Sequence, residues 1–101
     1  MAQRFDSFAA FYPYYLAEHT HPVCRRLHFA GSAGVLVLLV AALVTGNPRL
    51  LWFIPLVGYG CAWVGHFFFE KNRPATFSHP LYSLMGDWVM FKDILTGKIR
   101  M

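Results

Sequence analysis

Two long uncharged stretches dominate the pattern of hydrophobic and polar positions along the chain. Residues 27–48 and residues 50–69 carry no formal charge over 22 and 20 positions, respectively. A helix needs about 20 apolar residues to cross the hydrocarbon core of a bilayer. Between the two stretches, Gly46-Asn47-Pro48 is typical of a tight turn. The pattern therefore predicts a helical hairpin with membrane spans over 27–47 and 50–69, and the length disfavours a buried hairpin of a soluble protein.

A shorter segment rich in aromatic residues precedes the hairpin and predicts a first helix from Gln3 to Thr20. Asp6-Ser7 can cap the start of this helix, and Pro13 is expected to kink or split it. The segment is polar at its ends, which favours a helix that lies in the membrane interface over one that crosses the bilayer.

A second flanking helix is predicted from about Pro80 to Leu95, with a proline in its first turn. Apolar residues recur in it at steps of three and four, which gives a stripe of Leu81, Leu84, Met85, Trp88 and Leu95. The predicted fold is all-α: one domain over residues 1–101, an integral membrane hairpin flanked by two amphipathic or interfacial helices in a four-helix arrangement.

Composition and charge support a membrane protein. The chain is 56% hydrophobic and 14% charged, whereas soluble domains average roughly 25% charged residues. The net charge is +4, and the basic residues flank the apolar stretches, as they do next to lipid headgroups, so we expect no nucleic-acid partner. Arg25, Arg26, Lys71 and Arg73 share one end of the hairpin, which the positive-inside rule assigns to the cytoplasm. We expect an integral protein of a bacterial inner membrane with its site on the cytoplasmic side.

Four histidines are predicted to meet at this basic end. His28 lies 19 residues before Asn47 and His66 lies 19 residues after it, so both sit about 28 Å from the hairpin tip. His19 ends the first predicted helix next to the start of the second, and His79 begins the last helix. The topology alone therefore brings the four imidazoles to the same end of the molecule.

Imidazole is the commonest metal ligand in proteins and suits iron, zinc and copper. Several histidines at one depth therefore predict a metal site, although each one alone is accounted for by an interfacial hydrogen bond. Glu70, one turn beyond His66, is a candidate ligand or a supporting partner that orients an imidazole. Cys24 is either a soft metal ligand or an unreactive thiol. Its offset from Cys61 along the helices is roughly 13 Å, which argues against a disulfide between them.

Several blocks of the sequence resemble one family of small membrane proteins, formerly catalogued as a domain of unknown function. Its characterised fungal member is an iron(II)-dependent 2-hydroxy fatty acid dioxygenase of phytosphingosine breakdown. The resemblance covers nearly the whole chain and is carried by Phe11-Tyr12, Glu18-His19-Thr20-His21-Pro22, Arg26-Leu27-His28, Gly65-His66, Glu70-Lys71 and Arg73-Pro74-Ala75.

The resemblance implies an enzyme that shortens 2-hydroxy fatty acids by one carbon with dioxygen, the α-oxidation type of reaction, at a membrane. It implies Fe(II) held by His19, His28 and His66, with His79 in a looser part of the pattern, and it puts Glu70 at an acidic position of the family with a catalytic role. The implied partners are a lipid or fatty-acid substrate, dioxygen and the membrane. Small residues on both spans leave a homo-oligomer open.

Three other functions are compatible with the residues alone. Two histidines at equal depth on facing helices can ligate haem axially. A zinc-dependent membrane hydrolase can use zinc-bound water with Glu70 as the base. A structural membrane module with solvated histidines needs no metal.

Overall fold

The computed structural model describes residues 4–100, and within that range the chain is helical and contains no strand. The four α-helices are α1 (Phe8–Ala17), α2 (Pro22–Thr45), α3 (Phe53–Val64) and α4 (Pro80–Leu95). Three shorter helical turns join them: a 3₁₀ turn at Pro48–Trp52, a π-helical turn at Gly65–Glu70 and a 3₁₀ turn at Ala75–Phe77. The predicted all-α fold with four principal helices is confirmed.

Helices α2 and α3 form the predicted hairpin and make the most extensive contact in the structure. Gly46 ends α2 in the left-handed conformation, with φ of 67°, where glycine carries no steric penalty. The Asn47 side chain then accepts a hydrogen bond of 3.1 Å from the amide of Arg49 and caps the 3₁₀ turn. The turn predicted between the two apolar stretches is thus confirmed.

The two arms of the hairpin, Pro22–Thr45 and Pro48–Glu70, are long and apolar enough to span a membrane. Only 22% and 11% of their most apolar windows are buried within the protein. A core helix of a soluble protein would be mostly buried, so burial inside this chain does not explain the apolar surface. Large apolar side chains instead face outward along both arms, including Val37, Val40, Leu43, Val44, Phe53 and Leu56.

Helix α1 packs across α4 through an aromatic core. Phe11 and Tyr15 are fully buried there, together with Met90 of α4. Ser7 caps the helix as predicted, because its Oγ accepts from the amide of Ala10 at 3.1 Å. Pro13 was expected to kink or split the helix, and a split is wrong: α1 continues through that proline, because packing of the helix can offset the one backbone hydrogen bond that a proline removes.

The ends of α1 also differ from the prediction. The helix begins at Phe8 and ends at Ala17, one turn before Thr20. Residues 4–7 precede it, and the predicted start at Gln3 lies outside the described residues. The early end matters, because it leaves His19 in the short connection between α1 and α2 instead of on a helix.

Helix α4 has the predicted bounds, but most of its apolar stripe faces outward, with Trp88 half-buried. Leu81, Leu84, Met85 and Leu95 are exposed. Its buried side carries the small or polar residues Ser83, Gly86 and Asp93, together with Met90 of the aromatic core. Such an arrangement suits a helix whose outer side contacts lipid and whose inner side contacts α1 and the hairpin.

Candidate metal centre

Three histidine rings meet at the end of the hairpin away from the turn. The ring centres of His19 and His28 lie 4.5 Å apart, those of His19 and His66 lie 4.4 Å apart, and those of His28 and His66 lie 5.0 Å apart. Their exposed fractions are only 1%, 5% and 2%. One ring nitrogen from each lies within 4.8 Å of the others, a spacing at which a single metal ion can be held.

Each histidine reaches the cluster from a different element. His19 lies in the α1–α2 connection, His28 in the second turn of α2, and His66 in the π-helical turn that follows α3. The equal depth predicted for His28 and His66 is confirmed by their ring contact. Turns of π-helix are rare and occur frequently at functional sites, and this one carries His66.

In each of the three rings, Nδ1 lies within hydrogen-bonding distance of an acceptor outside the cluster. Nδ1 of His19 lies 2.6 Å from the backbone oxygen of Tyr15, and Nδ1 of His28 lies 2.9 Å from that of Cys24. A carbonyl oxygen can only accept, so Nδ1 must be the donor in both rings. In each neutral ring Nε2 is then left with a lone pair, as a metal ligand requires.

His66 is oriented in the same way by a side chain. Its Nδ1 lies 2.7 Å from Oδ1 of Asn72. The Asn72 amide is fixed by its other end, since Nδ2 donates to the backbone oxygen and to the carboxylate of Glu18, at 3.1 and 2.7 Å. Oδ1 must therefore accept from His66, and the Nε2 lone pair of that ring is also free.

The Nε2 atoms of His19 and His28 face each other, and neither carries a proton for a hydrogen bond between them. Their Nε2 atoms lie 3.1 Å apart. Burial and the neighbouring rings of His28 and His66 lower the pKa of His19 to about 2, so this ring is neutral near pH 7. A hydrogen bond between the two Nε2 atoms would need one ring to carry a second proton in a site almost closed to solvent, which is costly.

A divalent metal ion fits this donor set. Metal–imidazole bonds are about 2.0–2.1 Å long, and two of them at roughly a right angle place their nitrogens about 3.0 Å apart. The described residues bring no carboxylate or thiolate into the group, so its three donors are all neutral. Three protein ligands also leave positions open for other molecules, which is a feature of catalytic metal sites.

A second chain of contacts links the cluster to α4. The ring of Tyr15 stacks on His19 with centres 3.9 Å apart, and its hydroxyl donates a hydrogen bond to Oδ1 of Asp87. Burial raises the pKa of Tyr15 well above its usual value and the pKa of Asp87 to about 6. The Tyr15 ring also explains Gly86, because a Cβ there would lie 2.8 Å from a ring carbon of Tyr15.

The structure places Glu70 beside the cluster, outside the three-histidine group. Its carboxylate accepts hydrogen bonds from the backbone amide of His21 and, at 3.3 Å, from the hydroxyl of Thr20. It thereby ties the end of the π-helical turn to the α1–α2 connection that carries His19. Arg25 supports the same connection, since its Nε donates to the backbone oxygen of His19 at 2.6 Å.

His79 also lies outside the group, although it begins α4 as predicted. Its ring packs against the rings of Phe5, Phe11 and Tyr14, with centres 5.2, 5.4 and 6.0 Å away. Its Nδ1 lies 2.8 Å from the hydroxyl of Ser78. A ligand role for His79 stays a prediction that these contacts do not support.

The remaining polar candidates have local partners. His21 caps α2, because its Nδ1 accepts from the amide of Val23 at 3.1 Å. Cys24 is buried with Sγ 3.6 Å from Nδ1 of His28, on the side of that ring away from the cluster. Cys24 and Cys61 are both free thiols, so the expected absence of a disulfide between them is confirmed.

Sequence reasoning missed three residues that the structure adds to the site, namely Tyr15, Asn72 and Asp87. Asn72 directly follows Lys71, which ends the π-helical turn in a left-handed conformation with φ of 60°. No sequence pattern marks a non-glycine residue that adopts the left-handed conformation at the end of a helix. The position of Asn72 could therefore not be predicted. Tyr15 and Asp87 join only through the packing of α1 on α4.

Comparison with protein families gives one match. A family model described as 2-hydroxy-palmitic acid dioxygenase Mpo1-like matches residues 5–99. A search of curated proteins found no match, and neither did a search of solved structures. The matched range contains the three clustered histidines as well as Tyr15, Glu70, Asn72 and Asp87.

Proposed function

The chain belongs to the 2-hydroxy-palmitic acid dioxygenase Mpo1-like family, and from this premise we propose that it is an Fe(II)-dependent dioxygenase that shortens 2-hydroxy fatty acids by one carbon. The observation that carries the proposal is the convergence of three buried imidazoles whose Nδ1 atoms are all committed as donors. Their Nε2 lone pairs point into one site, and His19, His28 and His66 are the ligands we assign to the metal.

The chemistry of the donor set supports the substrate class. Three neutral ligands leave the charge of a divalent ion uncompensated, so an anionic group is attracted to the open positions. A 2-hydroxy acid offers a carboxylate and a neighbouring hydroxyl, two oxygens that can occupy such positions together. Arg25 lies at the same end and adds positive charge beside the site.

The reaction balances without an external reductant. One 2-hydroxy acid and one dioxygen contain the atoms of an acid shorter by one carbon, one carbon dioxide and one water. The bond between the carboxyl carbon and the hydroxyl-bearing carbon breaks, the substrate loses four electrons, and dioxygen gains them. Bound iron supplies the redox step that lets dioxygen react with the organic substrate.

The protein's own residues hold and shield the site. The backbone oxygens of Tyr15 and Cys24 and the side chain of Asn72 fix the three rings. Such supporting hydrogen bonds set the orientation and basicity of metal-bound imidazoles. The stacked ring of Tyr15 covers one side of His19 and excludes water there.

The membrane setting brings a fatty acid to this site. The two arms of the hairpin place the histidines at the end opposite the Gly46-Asn47 turn, together with the basic residues of that end. We assign this end to the cytoplasmic interface of the membrane by the positive-inside rule. A fatty acid in the bilayer has its carboxylate at that level, so substrate and metal meet at the interface.

The geometry does not favour the haem alternative. Two axial imidazoles lie on opposite faces of a porphyrin, so their nitrogens are about 4 Å apart, twice a metal–imidazole bond. The Nε2 atoms of His19 and His28 lie 3.1 Å apart, and His66 approaches the same point from a third side. The zinc hydrolase alternative needs Glu70 as base, yet that carboxylate holds the α1–α2 connection.

Anaerobic reconstitution tests the proposal. Protein purified without oxygen and loaded with Fe(II) is expected to consume dioxygen and to convert 2-hydroxyhexadecanoic acid into pentadecanoic acid. Loading with Zn(II) in place of Fe(II) should give no turnover. Equal product formation with zinc, or no shortened acid with iron-loaded protein, would refute the assignment.

A further inference from the structure

A cavity opens next to the metal centre and runs between three helices. Its volume is about 310 Å³, within the range of small-molecule sites. It is bounded by α2, α3 and α4, and His28 belongs both to its wall and to the histidine cluster. The cavity therefore begins where the proposed chemistry takes place.

The lining is polar at one end and apolar at the other. At the polar end lie His28 and Ser32 of α2 and Asp87 of α4, while Tyr59 and Trp88, each with one polar atom, also line the cavity. From there the cavity continues toward the hairpin turn: Val35 lies seven residues beyond His28, which is roughly 10 Å along the helix. On the facing arm, Ile54 and Pro55 are the lining residues nearest the turn; they mark the apolar end of the cavity, where Pro55 is exposed.

The polar end has hydrogen-bonding capacity to spare. The Asp87 carboxylate accepts from the hydroxyl of Tyr15 at Oδ1, whereas a carboxylate can accept about four hydrogen bonds. Because Asp87 also lines the cavity, it can accept a hydrogen bond from a hydroxyl group there. A hydroxyl next to a metal-held carboxylate is the group that separates a 2-hydroxy acid from an ordinary fatty acid.

We propose that this cavity binds the acyl chain of a 2-hydroxy fatty acid, with its methylenes between α2 and α3 and its hydroxyl on Asp87. The inference rests on the proposed function for the substrate class, and it adds the site and the residue that recognises the hydroxyl. The surrounding helices expose apolar side chains, so an acyl chain can enter sideways from the bilayer and leave its remainder in lipid.

The chain offers a matched pair of glycines for the apolar part. Gly58 lines the cavity, and a Cβ there would lie 3.3 Å from Cγ2 of Val35. Gly60 is on the same helix, and a Cβ there meets nothing within 4 Å. Gly58→Leu should fill the cavity, whereas Gly60→Leu adds the same side chain outside it.

The chain also offers a matched pair of aspartates for the polar end. Asp87 accepts from Tyr15 and lines the cavity, whereas Asp93 accepts from Tyr12 at 2.8 Å and lies elsewhere on α4. Asp87→Ala and Asp93→Ala each remove a carboxylate that accepts a hydrogen bond from a tyrosine hydroxyl. Only the first should alter recognition of the hydroxyl.

Photo-crosslinking in lipid vesicles tests the site without requiring turnover. Protein loaded with Zn(II), which should give no turnover, is irradiated without oxygen in the presence of a 2-hydroxyhexadecanoic acid that carries a diazirine in mid-chain, and labelled residues are mapped by mass spectrometry. We expect labelling of Val35 and Ile54 at the apolar end of the cavity, displaced by excess unlabelled 2-hydroxyhexadecanoic acid. Gly58→Leu should reduce it about ten-fold, equivalent to about 1.4 kcal/mol of binding, while Gly60→Leu leaves it unchanged.

Competition between unlabelled acids and the probe tests the polar end of the cavity. Unlabelled 2-hydroxyhexadecanoic acid should displace the probe at lower concentration than hexadecanoic acid, and Asp87→Ala, but not Asp93→Ala, should remove that advantage. Labelling of wild-type protein confined to outward residues such as Val40 and Leu43, undiminished by competitor, would overturn the inference even if no variant folds. The labelling needs neither iron nor oxygen. Specific labelling of a protein that later shows no turnover would therefore reject the proposed dioxygenase activity and still support the proposed acyl-chain site.

Discussion

The Nε2 atoms of His19 and His28 lie 3.1 Å apart, while the Nδ1 atoms of both rings donate to backbone oxygens. In these tautomers each Nε2 atom carries a lone pair and no proton. The lone pairs of the two neutral rings therefore point at each other and repel. A cation between them removes that repulsion, and His66 supplies a third lone pair.

Asn72 should control metal affinity although it does not enter the metal group. Its side chain holds Nδ1 of His66 and is itself held by Glu18. Loss of such a supporting hydrogen bond typically weakens metal binding 10- to 100-fold. We expect about that loss for Asn72→Ala in a titration against a competing Fe(II) chelator. An unchanged affinity would show that His66 needs no orienting partner.

Glu70 should act through structure and not as an acid or base. In Glu70→Gln, the amide oxygen can still accept from the backbone of His21, so turnover should stay within about three-fold of wild type, less than 1 kcal/mol in the barrier. Glu70→Ala removes the acceptor and should destabilise the protein by about 1–3 kcal/mol in a detergent unfolding assay. Loss of turnover in Glu70→Gln with metal content intact would instead support the catalytic role suggested by the family resemblance.

Gly65 should be required for the close approach of the π-helical turn to α2. A Cβ at this position would lie 2.9 Å from Sγ and 3.1 Å from Cα of Cys24. Gly65→Ala should therefore cost about 1–3 kcal/mol through overpacking and weaken metal binding. The matched Gly60→Ala meets no atom within 4 Å and should leave thermal stability unchanged or slightly higher. Equal effects of the two variants would contradict the packing argument.

Asp87 should make the protein less stable at neutral than at acidic pH. Burial raises its folded-state pKa from 3.8 to about 6, so the folded protein holds this proton more tightly than the unfolded chain does. The resulting penalty is absent below about pH 3.8, grows as the pH rises to 6, and is fully present above it. Asp87→Asn should consequently gain stability over wild type at pH 7.5, and the gain should shrink at pH 4. A gain independent of pH would contradict the raised pKa.

Counting along the chain predicted that His28 and His66 meet. His28 and His66 meet because antiparallel helices of equal length bring positions equidistant from Asn47 to one level, and this needs no knowledge of side-chain packing. His19 followed from its place beside Pro22. The count could not separate His79 from the others, because placing a residue at one end of a bundle does not say which way its ring turns.

Side-chain partners were beyond the reach of the sequence pattern. Tyr15 and Asp87 are 72 residues apart and meet only because Gly86 lets a ring lie against α4. The apolar stripe of α4 was predicted correctly, but the pattern alone does not say which side of the helix is buried, and Leu81, Leu84, Met85 and Leu95 are exposed. Pro13 was expected to kink or split α1, but the helix continues through it, and Phe11 and Tyr15 on either side of the proline are buried in the aromatic core.

The metal content of protein purified without oxygen tests the central claim most directly. We predict about one iron per chain in the wild type, a loss of bound iron in His66→Ala, and retention in His79→Ala, whose ring lies among aromatic side chains outside the cluster. Circular dichroism of each variant confirms that the helices are intact. Iron in His66→Ala equal to that of the wild type would contradict the three-histidine site.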